Sequence, residues 1–129
     1  MTAMVGKPKK ILIVEDDEQF ALLVAGYLSS AGYLSVTAVD AIQGFMFAQR
    51  EHPALILLDL AMPAGGGLIL LERLIKSLRT QRIPVVVVTA SPEPKIEAEA
   101  RAKGAVDFVR KPIERESFLA VVGRVLSRA

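Results

Sequence analysis

Four places in this sequence carry side chains that could do chemistry together. They are the acidic triplet Glu15-Asp16-Asp17, the lone Asp59, the hydroxyl of Thr89 before Ala90, and Lys111 before Pro112. Taken singly, each has an ordinary explanation. Asp16 could cap a helix, with Gln19 completing a capping box, and Asp59 could be turn chemistry. The Thr89 hydroxyl could close a loop, and Lys111 could simply be solvated. Taken together, Glu15, Asp16 and Asp59 bring three negative charges and Lys111 returns one. Such an excess of charge in one crevice requires a divalent cation. Hard carboxylate oxygens without His or Cys suit Mg²⁺, or Mn²⁺, rather than zinc. Magnesium keeps waters and shares a substrate phosphate, so an incomplete protein cage is expected. A carboxylate nucleophile, a metal, a lysine and a hydroxyl donor are the parts of a phosphoryl-transfer site.

That reading holds only if the four places meet, and the elements between them decide it. Each follows a short apolar run: Ile11–Val14, Leu55–Leu58, Val85–Val88 and the weaker Val106–Val109. A fifth run, Ser35–Val39, alternates polar and apolar as a half-buried strand does. Between the runs lie helix-period stripes. Phe20, Leu23, Val24, Tyr27 and Leu28 form one, and Phe118, Val121, Val122, Val125 and Leu126 repeat the spacing. Leu68, Leu71, Leu74, Ile75 and Leu78 make a third, and Ile42, Phe45 and Met46 a shorter one. The segment Pro92–Lys103 is alanine-rich, with Ile96 its only large apolar anchor. Ser91 is its expected N-cap and Pro92 its first helical residue.

Strict β-α alternation implies right-handed crossovers and a parallel sheet covered by helices on both faces. Three of the runs are apolar at every position, as central strands must be. The alternating run and the run carrying Asp107 read as edges. The expected fold is α/β: a single doubly wound (βα)5 flavodoxin-like domain with a five-stranded parallel sheet in order 2-1-3-4-5. In such sheets ligands bind beyond the C-terminal strand ends, at the switch point between strands one and three. Glu15, Asp59, Thr89 and Lys111 all fall there, while Asp40, after the alternating run, falls outside.

Composition narrows the class. The chain has 129 residues, which predicts one domain, with residues 1–8 as an N-terminal extension and 9–129 as the domain. With 52% hydrophobic and 23% charged residues, it is not a disordered sequence. No apolar run approaches the ~20 residues of a membrane span, and residues 1–10 lack a signal peptide's apolar core. There is no cysteine, hence no disulfide framework or thiolate metal site. A cytoplasmic location is expected. Of the basic residues, only Lys7, Lys9 and Lys10 cluster, and no aromatic platform accompanies them. Direct nucleic-acid binding is not expected.

The motifs ILIVEDD, LLDLAMPAGGG, VVVVTA and FVRKPI, with Gly67 eight residues after Asp59, resemble the receiver domain of two-component response regulators. The resemblance spans about residues 9–128. It implies that Asp59 takes a phosphoryl group from a phosphohistidine on a sensor histidine kinase or histidine phosphotransferase. Glu15, Asp16, Asp59 and the backbone carbonyl of Ala61 would hold Mg²⁺. Lys111 would pair with Asp59 and then with the phosphoryl oxygens, and Thr89 and Ala90 would bind the phosphoryl group. Phe108 would turn inward as Thr89 moves, and the Lys111–Pro112 bond would be cis. A downstream protein partner, or an output domain, would read the surface of helix four, strand five and helix five. The domain would catalyse only its own phosphorylation and dephosphorylation. Helix four, weakly anchored, is expected to shift as a stiff unit hinged near Ala90-Ser91.

Departures from the family pattern are modest. Phe108 stands where many members have Tyr, and Ala54 replaces an acidic residue common before strand three. The Gly65–Gly67 run is not followed by Gly-Lys-Ser/Thr, so it is no P-loop but a flexible turn. His52, beside Pro53, reads as a surface turn residue at the opposite end of the sheet. A flavodoxin would place hydroxyls and glycine, not Glu15-Asp16-Asp17, around its flavin phosphate. A haloacid-dehalogenase-type phosphatase would carry DxD after strand one, and this chain does not. A degenerate receiver, acting as a phosphorylation-independent binding module, would lack part of the acid pair, acceptor, hydroxyl and lysine set.

Overall fold

The structure of the protein, a computed structural model, describes residues 7–63, 66–90 and 93–128. Strands and helices alternate in chain order: β1 (Lys10–Val14), α1 (Glu18–Ser30), β2 (Leu34–Ala38), α2 (Ala41–Glu51), β3 (Leu55–Leu58), α3 (Gly66–Lys76), β4 (Val85–Thr89), α4 (Pro94–Ala102), β5 (Asp107–Arg110) and α5 (Arg115–Leu126). The strands pair in parallel in the order β2-β1-β3-β4-β5. This is the flavodoxin-like doubly wound order. Strands β2 and β5 begin and end one residue from their expected bounds, because β2 starts at Leu34 and β5 ends at Arg110.

Why β1, β3 and β4 are apolar apart from Lys10 and Thr89 at their ends is plain from the two cores. Leu12, Val14, Ile56, Leu58, Val85 and Val87 face one core, closed by Ala48 of α2, Leu70, Leu71 and Leu74 of α3 and Ala100 of α4. Ile11, Ile13, Leu55, Leu57, Val86 and Val88 face the other, closed by Ala21, Val24 and Leu28 of α1 and Phe118, Val122 and Val125 of α5. Alternate residues point to opposite faces, so a strand between two helical layers has no polar face to show.

Several helices turn a different flank inward from the one their large residues suggested. In α1 the buried face is Ala21, Val24 and Leu28, and Leu23 is exposed. In α2 it is Gly44 and Ala48, with Ile42 and Met46 outside. A Cβ at Gly44 would come within 2.8 Å of Leu70 and 3.2 Å of Val14, so this helix sits too close for anything larger. Helix α3 buries Gly67, Leu70, Leu71 and Leu74 and ends at Lys76, leaving Leu78 exposed beyond it.

Helix α4 begins at Pro94, with Glu93 at the N-cap making no side-chain cap bond. The expected start at Ser91-Pro92 lies outside the described residues, and the proline at the first helical position is Pro94. Ile96 is only half-buried; the buried residue is Ala100. A fully buried Leu, Val or Phe stabilises by about 1.5–3 kcal/mol, and α4 has none. What ties it down is charge: Glu97 meets Arg110 of β5 at 3.2 Å, and Lys103, just past the helix, meets Glu72 of α3 at 3.0 Å, while the 3.3 Å pair of Glu97 with Arg101 lies within α4 itself. Exposed pairs of this kind contribute about 0–1 kcal/mol each and weaken with salt. Amide hydrogen exchange should therefore find α4 the fastest-opening of the five helices, and raising the salt concentration should speed α4 selectively.

Candidate functional site

Strand register brings the acidic residues together. Val14 lies opposite Leu58, so the next residues, Glu15 and Asp59, emerge side by side. The Asp59 N–H donates to the Val14 carbonyl at 3.1 Å and the Glu15 N–H to the Ala38 carbonyl at 2.9 Å. Both carboxylates are buried, Glu15 at 3% and Asp59 at 4% exposure. Asp16 is exposed beside them, and one oxygen from each of the three acids lies within 4.8 Å of the others.

The fourth corner is Lys111. Its backbone N–H donates to the Thr89 carbonyl at 2.9 Å, which fixes it beyond β4 and β5. The Lys111–Pro112 bond is cis. Lys111 Nζ reaches Glu15 Oε1 at 3.1 Å and Asp59 Oδ2 at 3.6 Å. Asp59 Oδ1 accepts from the Ala61 N–H at 3.0 Å. Thr89, 4% exposed, ends β4 on the face of Val85 and Val87, and Ala90 follows it, exposed. Phe108, opposite Val87 in β5, packs half-buried against that same core with the Arg101 guanidinium 4.8 Å from its ring centre.

One ammonium against two buried carboxylates leaves negative charge in excess. Burial pushes the Glu15 carboxyl up from its ordinary 4.5 to about 6, although the Asp17 N–H and the Lys111 ammonium favour its ionised form; the Asp59 charge adds to the upward push. Hard oxygen donors, two of them buried and one open to solvent, fit a magnesium-sized cation that keeps part of its water shell. No histidine or cysteine stands among them.

Three residues here were assigned differently, or not at all, from sequence. Asp17, not Asp16, caps α1: its Oδ1 accepts from the Phe20 N–H at 3.1 Å, and Gln19 closes no capping box. Asp16 is thereby left free to turn toward the other acids. Gly67 is not a flexible turn residue but a buried member of α3. A Cβ there would lie 2.6 Å from Leu60 Cα and 2.8 Å from the Asp59 carbonyl oxygen, so the backbone that carries Asp59 touches the helix directly. Phe20 places its ring centre 4.2 Å from Lys111 Nζ. The Asp17-x-x-Phe20 spacing was the available signal for the cap. His52, in the left-handed region at φ 47°, is exposed at the end of α2, far from the site.

Residues 11–123 match the response regulator receiver domain family. RpaA of Synechocystis, described as a DNA-binding dual master transcriptional regulator, is 38% identical over 119 residues, which is 92% of this chain and 49% of RpaA. PilH of Pseudomonas aeruginosa is 29% identical over 92% of this chain and 98% of its own. The chain thus spans about half of the first relative and nearly all of the second. The chemotaxis protein CheY4 of Vibrio cholerae superimposes with a TM-score of 0.86 at 27% identity, covering 92% of this chain and 98% of that one.

Two outcomes follow from the packing and the charge. Gly67→Ala should destabilise the protein by about 1–3 kcal/mol, whereas Gly66→Ala, whose Cβ would meet nothing nearer than 3.5 Å, should be neutral or mildly stabilising in urea titrations. Glu15 holds a proton when folded that it releases when unfolded, so its contribution to metal-free stability falls as pH rises from 4.5 through about 6. Relative to wild type in EDTA, Glu15→Gln should gain about 2 kcal/mol between pH 4.5 and 7. Denaturation curves at a series of pH values measure that difference.

Proposed function

The chain belongs to the response regulator receiver family, and from that premise we propose that Asp59 is its phosphoacceptor. The observation that carries the reading is the meeting of the Glu15, Asp16 and Asp59 carboxylates with Lys111 Nζ 3.6 Å from Asp59. The donor is a phosphohistidine on a partner, either a sensor histidine kinase or a histidine phosphotransferase, in the cytoplasm. A carboxylate oxygen of Asp59 forms a bond to phosphorus while the P–N bond breaks. The imidazole leaves with that electron pair and takes a proton.

Glu15, Asp16 and Asp59, with the Ala61 carbonyl, would hold Mg²⁺ (or Mn²⁺), which when bound offsets charge on the carboxylates and the incoming phosphoryl oxygens. Lys111 leaves Glu15 for a phosphoryl oxygen, and the Thr89 hydroxyl and the backbone at Ala90 donate to the others. Thr89 and Phe108 share the α4 side of the sheet. A displacement of Thr89 therefore opens room for the Phe108 ring and loosens the Arg101 contact upon it. Helix α4 is the helix with the fewest buried residues to resist. The outcome is an altered α4-β5-α5 surface for a downstream protein or an output domain. Receiver domains are signalling modules, and the only reaction this one would accelerate is its own phosphorylation and dephosphorylation.

Incubation with acetyl phosphate and Mg²⁺ should raise the intact mass by about 80 Da, the mass of one phosphoryl group. Asp59→Asn, or EDTA, should remove that species without unfolding the protein. An undiminished adduct in Asp59→Asn would overturn the assignment. No adduct in wild type would leave the domain a binding module independent of phosphorylation.

A further inference from the structure

We propose that Phe20 is a positioning residue for Lys111: its ring face holds the ammonium within reach of Asp59 once the carboxylates no longer do. The inference rests on the phosphoacceptor reading for its functional consequence, but not for the contact itself.

Lys111 Nζ has carboxylates on one flank, Glu15 Oε1 at 3.1 Å and Asp59 Oδ2 at 3.6 Å, and the Phe20 ring centre at 4.2 Å. The ring is fixed from two directions. Its backbone N–H is held by the Asp17 cap at 3.1 Å, and the half-buried side chain packs against the core of α1 and α5. As the third residue of α1 it leans back over the preceding turn, toward the end of β1. Glu15, Phe20, Val24, Asp59 and Val88 line one small void, so ring and carboxylates face the same space.

The chemistry requires such a surface. Lys111 must release Glu15 and Asp59 and then engage a phosphoryl oxygen. Between those two states an ammonium with only carboxylate partners would rehydrate and swing out, since four rotatable bonds carry it. An aromatic face attracts the cation through its quadrupole, makes no directional bond, and does not compete for protons or metal. The ammonium can slide across it without leaving. Leucine at this position would keep most of the apolar contact and hold nothing.

The test replaces Phe20 by Tyr, Leu and 3,4,5-trifluorophenylalanine, the last keeping the ring's shape while draining its quadrupole. Metal-free melting temperature is read in the Lys111 and Lys111→Met backgrounds, and the acetyl phosphate reaction rate at saturating Mg²⁺ is read with Lys111. Fluorination should lower the melting point by about 2–4 °C with Lys111 present and leave Lys111→Met unchanged, and Phe20→Leu should lower it by about that much more with Lys111 than in Lys111→Met. They should slow phosphorylation by about fivefold, with Tyr near wild type. Equal melting shifts in both backgrounds would mean that the ring only packs, and would overturn the contact. A rate indifferent to fluorination would overturn the positioning role. If wild type takes no phosphoryl group, the phosphoacceptor reading fails and the positioning role fails with it, while the melting series still decides the contact.

Discussion

Two carboxylates, Glu15 and Asp59, are held side by side out of water with one ammonium between them. That enforced closeness of like charge governs the rest of the structure. It needs two neighbouring parallel strands in register, so that consecutive chain segments end at the same level. It needs those strands covered on both faces, because any wetter setting would let the carboxylates drift apart and hydrate. It also needs Lys111 delivered from the far side of the sheet, which the hydrogen bond to the Thr89 carbonyl accomplishes. The upward push on Glu15 records the cost of this arrangement. A divalent cation held by these oxygens would relieve it.

The sheet was legible in the sequence because burial on both faces leaves only one composition open to a strand. Runs such as ILIV and VVVV have no polar alternate, and a β-α order repeated five times leaves few topologies. The meeting of its residues was legible for a related reason: Glu15, Asp59 and Lys111 each sit one step past a strand end and Thr89 closes one, where geometry rather than propensity decides who meets whom. Asp59 and Lys111 could be placed without knowing a single side-chain angle.

What escaped the sequence has its own physical logic. Helix faces were misjudged wherever small residues are buried. Ala21, Gly44, Ala48 and Ala100 point inward because the helices lie close to the sheet, and periodicity of large residues cannot report a distance. The Asp16 and Asp17 caps differ by one residue, within which either acid offers the same chemistry, and only the donor actually met, the Phe20 N–H, separates them. Gly67 read as slack when its lack of a side chain is what allows contact. Phe20 counted as one member of an apolar stripe, since a ring's second partner lies 91 positions away in the chain, at Lys111.

The contact of Gly67 with the Asp59–Leu60 backbone also sets where the domain can yield. On the α3 side the strand end that carries Asp59 is butted against a helix with no gap to close, so that wall is stiff. On the α4 side the support is one buried alanine and a few solvent-facing ion pairs to β5 and α3, so that wall is soft. A load applied between a stiff wall and a soft one moves the soft one. Direction is thus built into the fold as a difference in compliance, and a perturbation at Asp59 would spend its displacement on α4 and β5 rather than spread evenly through the sheet.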